Sequence, residues 1–341
     1  MDGYALKVTE VERDAMFKVI GEAAAGHGFA GTVGPGQTVR IFTGAPIPEG
    51  ADFVVIQEDI TRSGNLVTIT EDPGEKNNIR PAGGDFLIGS ELSAPRILAP
   101  QDIALLASMN VAMVPVTRKP VVALLATGDE LVMPGETPGP DQIIASNSFG
   151  LKVMLENLGA SARLLPIARD TLSSLRKAFE LAEGADMVVT IGGASVGDHD
   201  LVGQVAEDMG MDRSFYKVAM RPGKPLMAGR LNGAAMVGLP GNPVSAMICG
   251  QIFLAPMIRK MLGLGTELPA LLQAKLGNEL RANGPREHYM RARIDNSGEL
   301  HAFDNQDSSL LTVLSQANAL LVRPPHDPPL KARDVVNYLP L

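Results

Sequence analysis

Apolar residues in the first 89 positions fall in short runs separated by Gly/Pro turns. VRIF (39–42), ADFVVIQ (51–57) and NLVTIT (65–70) have the length and β-branched content of strands, and no long amphipathic helix interrupts them. A β-rich module is predicted over 1–89. Residues 90–118 read as a connector, with a helix in QDIALLASMN after Pro100 and a strand in VAMVPVT.

The texture changes at Lys119. PVVALLATG (120–128) and ADMVVTIGG (185–193) are near-continuous apolar runs ending in glycine, the pattern of strands buried on both faces. Between them Leu151, Met154, Leu155 and Leu158 mark one amphipathic helix, and Leu172, Leu175, Phe179 and Ala182 a second. GAAMVGLPG (233–241) predicts another strand, followed by a helix from Val244 to Met261 that Pro256 should kink. Alternating strands and helices over 119–268 predict a doubly wound parallel α/β sheet, with ligands at the carboxyl ends of its strands. From 269 to 341 the pattern returns to β: a hairpin of HYMRARI and LHAF about DNSGE, a short helix in SSLLTVLSQA, and strands in ALLVRP and DVVNYLP.

Charge and composition narrow the function. The net charge is −8, with 30 Lys+Arg against 38 Asp+Glu, which disfavours nucleic acid and anionic membrane as partners. The single Cys249 allows no internal disulfide, and His27, His199, His288, His301 and His326 lack metal-ligand spacing, so no zinc site is expected. There is no signal-peptide pattern, and the most apolar stretch, Ala234 to Ile258, is broken by prolines and glycines. A soluble cytoplasmic protein is expected. Gly and Pro together make 61 of 341 residues, about 18% against the usual 12% or so, and their placement directs attention to the turns.

Three glycine-rich turns follow predicted α/β strands: Thr127–Glu130, Ile191–Asp200 and Gly238–Ala246. Glycine admits close approach of backbone to ligand, and amides at a helix N-terminus bind anions. One such turn is ordinary βα punctuation; three at one sheet edge, with Ser195, Asn242 and Ser245 as donors, point to a binding site. Arg221-Pro-Gly-Lys224-Pro225 holds two cations in a non-helical segment, suited to an oxyanion or phosphate, without Walker A spacing. Asp129, Glu130, Asp170, Asp198 and Asp200 crowd the same turns, with Asp2 and Asp85 in the N-terminal module; Asp170 could equally be a helix N-cap. Carboxylates beside an anion site call for a bridging cation, and Mg²⁺ suits one or two carboxylates plus substrate phosphates. The GxGxxG at 26–31 precedes no helical pattern, so a Rossmann site is not expected there; Cys249 sits in an apolar helix as core, and no GxSxG elbow is present.

Taken together, MDGYA (1–5), IFTGAPIPEGADFVVIQED (41–59), NIRPAGGD (78–85), GDEL (128–131), SNS (146–148), GGASVGDHD (192–200), RPGKPL (221–226) and GLPGNPVSA (238–246) resemble the molybdopterin molybdenumtransferase family over essentially the whole chain. The resemblance implies an α/β plus β multidomain fold: a β-rich N-terminal module, a molybdopterin-binding α/β domain and a C-terminal β-barrel-like domain. It implies Mg²⁺-dependent cleavage of adenylylated molybdopterin, with molybdate inserted at the dithiolene and AMP released. In that reading Asp200, Asp170, Glu130 and Lys224 are catalytic, and Asp200, Asp85 and Asp2 hold the metal. Thr43, Arg80, Gly192, Gly193, Ser195, Arg221, Pro240, Asn242, Pro243, Ser245, Arg291 and Ser309 bind substrate.

The implied assembly is a homodimer whose N-terminal module completes the partner's cleft, with a molybdopterin adenylyltransferase as a possible associate. Arg221 stands where many relatives carry Lys, and relatives carry a helical segment before MDGYA, which leaves Asp2 at a free terminus. The alternatives are the preceding adenylyl transfer, whose enzymes are little more than the α/β domain, and a non-catalytic pterin-binding scaffold.

Overall fold

The computed structural model describes residues 1–193, 201–265 and 270–341, and divides into two compact units, Met1–Leu92 and Ser93–Leu341. The expectations attached to Ser195, Asp198, His199 and Asp200, and the boundary between 268 and 269, lie outside the described residues.

The first unit is built on a six-stranded sheet of β1 (Gly3–Leu6), β2 (Met16–Ala23), β3 (Gln37–Ile41), β4 (Phe53–Ile56), β5 (Ile60–Ser63) and β6 (Leu66–Ile69), in the order β4-β1-β3-β2-β6-β5. The three runs read from the sequence supply β3, β4 and β6. Period-2 alternation divides the core: Tyr4, Leu6, Phe53 and Val55 pack on one side, and Ala5, Val39, Ile41 and Val54 on the other. The GxGxxG segment is turn and isolated bridge, with no helix after it.

The second unit begins with α1 (Pro100–Ser108), whose Asp102 accepts from the Ala99 amide at 2.9 Å and pairs with Arg96 at 3.0 Å. The strand expected at 111–117 does not form: no described strand pairs with it, and Met113 and Val116 are exposed. High β propensity makes a strand only where a sheet edge receives it.

The central layer follows. Its elements are β7 (Val121–Ala126), the short β8 (Leu131–Val132) and β9 (Ile143–Ile144), α2 (Asn147–Asn157), β10 (Ser161–Leu164), α3 (Leu172–Leu181), β11 (Met187–Ile191), α4 (Leu201–Asp208), β12 (Asp212–Tyr216), β13 (Met220–Arg221), β14 (Met227–Leu231), β15 (Ala234–Leu239), α5 (Pro243–Cys249) and α6 (Ala255–Met261). The main sheet runs β10-β7-β11-β15-β14-β12. Its first four strands are parallel as expected; β14 alone runs against them, because the hairpin turn at Asn232–Gly233 joins it directly to β15, and β12, antiparallel to β14, points the same way as the first four.

Burial on both faces explains the continuous apolar runs. Val122 and Leu124 join the core beneath α2, α5 and α6, while Ala123 and Leu125 join the core beneath α3 and α4. A fully buried leucine contributes about 1.5–3 kcal/mol, so β7 and β11 anchor the layer. Asp186, just before β11, ties the two strands together: it accepts from the Val121 amide at 2.7 Å and takes Arg118 bidentately at 2.7 and 2.6 Å. The cap of α3 is Thr171, whose hydroxyl accepts from the Ser174 amide at 3.3 Å, and not Asp170. The helix after β15 is interrupted before Pro256: a π turn at Gly250–Leu254 joins α5 to α6, the Ala255 amide donating to Gly250 O, and Pro256 falls in the first turn of α6.

The C-terminal elements are β16 (Leu272–Leu276), β17 (Glu287–Ile294), β18 (Glu299–Ala302), α7 (Leu311–Gln316), β19 (Ala319–Arg323) and β20 (Val335–Pro340). They pair β17-β18-β16-β20-β19 and β19 closes back on β17, a five-stranded barrel around Leu276, Ala292, Leu300, Ala319 and Leu321. The two-residue β13 pairs in parallel with β17, stitching the Arg221–Pro225 loop to the barrel.

Candidate active site

The carboxyl ends of β7, β11 and β15 open into a cavity of about 710 Å³. Its wall takes Ala126 and Thr127 after β7, Gly192 and Gly193 after β11, and Pro240–Pro243 after β15, together with Glu130, Ser146–Ser148 at the start of α2, Pro225 and Ser309. The glycines are required. Gly192 has φ +93° and Gly193 φ +68°, and a Cβ on Gly193 would lie 2.3 Å from Val202 Cγ2. Asn147 Nδ2 donates to Gly241 O at 2.7 Å, fastening the start of α2 to the turn before α5. The cavity therefore lies where two helices begin, a setting that favours anionic groups.

The carboxylate-rich turn at one side is held by Arg169, a residue no motif singled out. Its guanidinium donates to Asp129 O at 2.9 Å and to Leu131 O at 3.3 Å, while the Asp170 amide donates to Asp129 Oδ1 at 3.2 Å. Glu130 faces the cavity; Asp170 is exposed on the turn beside Asp129 and is absent from the cavity wall.

A second chamber of about 350 Å³ shares Pro225, Pro240 and Asn242 with the first. Arg221, Lys224 and Ser245 line it, with Arg286, Gln306, Asp307 and Ser308 from the barrel side. Asn242 Nδ2 donates to Ser308 Oγ at 3.1 Å and the Val244 amide to Ser308 O at 3.1 Å, so α5 and the 306–309 loop are sewn together across the chamber. Arg291 is placed behind this wall, not in it. It is 1% exposed and donates to Gln306 Oε1 at 3.2 Å and to Asp307 O at 2.8 Å, and burial pulls its pKa below the usual guanidinium range. The expectation that Arg291 contacts the anion is corrected to support of the loop that does the lining. Beneath the Arg221–Pro225 loop lies Cys249, whose thiol burial pushes up to about 12.

In the first unit, Asp2 Oδ1 accepts both the Thr43 amide and the Thr43 hydroxyl at 2.9 Å. The backbone amide is the main reason the Asp2 carboxyl is held below its ordinary value. Arg80 and Asp85 are exposed in the segment that follows the sheet.

Comparison with known proteins matches the same modules. The region described as "MoeA N-terminal region (domain I and II)" matches residues 1–110, "Probable molybdopterin binding domain" 123–260, and "MoeA C-terminal region (domain IV)" 273–341. A molybdopterin molybdenumtransferase of Nostoc is 36% identical over 340 residues, covering 95% of this chain and 78% of that protein. The chain belongs to the molybdopterin molybdenumtransferase family. The Bacillus subtilis member is 33% identical over 95% of this chain and 78% of its own. A crystal structure of the molybdopterin biosynthesis MoeA protein from Pyrococcus horikoshii superposes with a TM-score of 0.79 at 26% identity, covering 99% of this chain and 85% of that one.

Within this molybdenumtransferase fold, Glu130, Gly192, Gly193, Pro240, Asn242, Pro243 and Ser309 line the large cavity, and Lys224, Arg221 and Ser245 the small chamber. Asp2 and Thr43 are together in the first unit, and Ser195 and Asp200 lie outside the described residues. Residues missed were Arg169, Arg286, Ser308 and Asn147. Asn147 stood within the SNS motif and could have been read; the others depend on contacts between distant segments.

Proposed function

We propose that this protein inserts molybdenum into molybdopterin: it binds adenylylated molybdopterin in the large cavity and molybdate in the small chamber, and releases AMP. The observation that carries this reading is the junction of the two chambers through Pro225, Pro240 and Asn242. A bulky ligand and a small oxyanion would be held side by side, and such proximity is itself a large part of catalysis. Lys224, Arg221 and the 4%-exposed Ser245 supply charge and a hydroxyl to the dianion. The Gly192–Gly193 turn and the start of α2 would receive the pterin phosphate or the adenylate, with Ser195 as a further donor. Glu130, on the cavity wall, is the carboxylate proposed for proton handling beside the scissile phosphoanhydride, and Asp170 is proposed to act through the turn its amide ties to Asp129 Oδ1.

Among the described residues, the wall of the large cavity offers carboxylate, hydroxyl and amide oxygens, a donor set that suits Mg²⁺. Among the described residues no three-ligand cage forms there; the one such group, Asp295, Glu299 and His301, is at the β17–β18 hairpin. Asp200 would hold the ion, with Glu130 on the wall beside it, while substrate phosphates fill the rest of its shell. When bound, Mg²⁺ neutralises charge on the phosphoanhydride. Asp2 and Asp85 are proposed as further ligands, and with Thr43 and Arg80 as the contribution of a second copy, in a homodimer. No described helix is long and apolar enough to cross a membrane, and action in the cytoplasm is proposed.

The test is incubation of the purified chain with adenylylated molybdopterin, Mg²⁺ and molybdate, following AMP and active cofactor. Molybdate-dependent AMP release is expected; a folded protein that binds the pterin but releases no AMP would favour the scaffold reading. Formation of adenylylated molybdopterin from ATP would favour the adenylyltransferase reading, against which the matched N-terminal and C-terminal regions stand. Light scattering tests the dimer, and a fully active monomer would refute the shared site.

A further inference from the structure

The small chamber carries a cation that no motif indicated. Arg286 immediately precedes β17, whereas Arg221 and Lys224 belong to β13 and the loop after it. The backbone ladder sets the spacing between them: Met220 pairs with Glu287, Arg221 with His288, and the Glu287 amide donates to Ala219 O at 3.0 Å. Among the described residues, no carboxylate lies within ion-pair distance of Arg221, Lys224 or Arg286. Among the described residues, the Arg286 guanidinium makes a single long bond, 3.5 Å to Met220 O. The one acid on the wall, Asp307, spends Oδ1 on the Ser309 amide at 2.8 Å and the Ser309 hydroxyl at 2.7 Å. Among the described residues, three cations and the single carboxylate of Asp307 thus surround about 350 Å³, which leaves the lining with an excess of positive charge.

We propose that Arg286 is the third arm of the oxyanion clamp, donating to molybdate from the barrel side and selecting a dianion over a monoanion of the same shape. The proposal rests on the reading of the chamber as the molybdate site. Two cations from one loop would hold a tetrahedral anion of either charge; the third, on a separate strand, adds attraction that scales with the anion's charge. His288, 6% exposed on β17, reports the same field from within. Burial first, and then Arg221, Arg323, Arg291 and Arg286, bring its pKa down to about 4. A dianion between Arg221 and Arg286 offsets part of that field, so molybdate should raise the His288 pKa.

The experiment is calorimetric titration of the full chain with sodium molybdate and with sodium perrhenate, a tetrahedral monoanion of similar size, together with imidazole NMR of His288 across pH. Arg286→Gln is expected to weaken molybdate about tenfold and perrhenate about threefold or less. Arg286→Lys should keep most of the dianion preference while losing the planar fork. Saturating molybdate should raise the His288 pKa in the parent protein and less in Arg286→Gln. Equal weakening of both anions, unchanged molybdate affinity in Arg286→Gln, or a His288 pKa unmoved by molybdate in the parent would each overturn the assignment. The last of these needs no variant to fold. A parent protein that releases AMP while Arg286→Gln binds molybdate normally refutes Arg286 alone; a folded parent that binds no molybdate refutes the chamber reading and this one together.

Discussion

Gly223 sits at φ +107°, and a Cβ built there would lie 2.3 Å from Cys249 Sγ and 3.5 Å from Met220 Cε. Gly223→Ala therefore carries two separable penalties. Backbone strain for an L side chain at this φ costs about 1–2 kcal/mol, and overpacking against a buried sulfur costs a further 1–3 kcal/mol or so. Cys249→Ala alone should cost about 1–2 kcal/mol through the small cavity it leaves. In the double variant the sulfur is gone, so the clash is relieved while the strain remains. The coupling energy should be favourable by about 1–2 kcal/mol. The assay is a double-mutant cycle from urea unfolding of the unit that carries both residues, with molybdate affinity measured alongside, since Arg221 and Lys224 ride on the same loop. Strict additivity of the two variants, or a Gly223→Ala protein as stable as the parent, would show that the loop does not rest on Cys249 as described.

Cys249, with its thiol at about 12, should resist alkylation at pH 8 in the native protein and react promptly once unfolded; native-state labelling at the rate of a free thiol would contradict its burial. Among the described residues the hydroxyls of Thr127 and Thr190 are buried without a partner, and Thr190 does not line the large cavity, so Thr190→Val should be neutral or stabilising by about 1 kcal/mol in denaturant melts. His288 is held at about 4 in the fold against about 6.5 in the unfolded chain, so the unfolded state binds the extra proton between those values. Stability should be complete above about pH 6.5 and fall as pH drops toward 4, and His288→Gln should flatten that window. Asp186, lowered chiefly by Arg118 and also by the Val121 amide, contributes stability that is present above about pH 3.9 and lost as pH falls through its depressed folded value. Asp186→Asn should shift the acid limb of the unfolding curve, and an unchanged limb would deny the clamp between β7 and β11.

What could be read from the residues alone depended on how local the cause was. PVVALLATG and ADMVVTIGG announced buried strands because an apolar run of that length has no other stable home, and β7 and β11 are where that reading put them. VAMVPVT had the same propensity but no paired neighbour, and stayed out of any sheet. At the site, the glycine turns and RPGKP were legible because their chemistry lies within a few consecutive residues. Arg291 was misjudged because its charge was visible and its burial was not; the carbonyls of Asp307 and Leu310 that take up its donors are many residues away.

The sequence by itself determined the family, the order of β, α/β and β regions, and the cationic and glycine-rich turns, because each is written in composition and short-range spacing. Tertiary structure alone decided the rest. The pairing of β13 with β17 brings Arg286 beside Arg221, closure of β19 on β17 makes the C-terminal sheet a barrel, and the bonds from α5 to Ser308 bring the 306–309 loop to the chamber. Each joins residues far apart in the chain, and their proximity follows from how the layers pack, which no window of sequence contains.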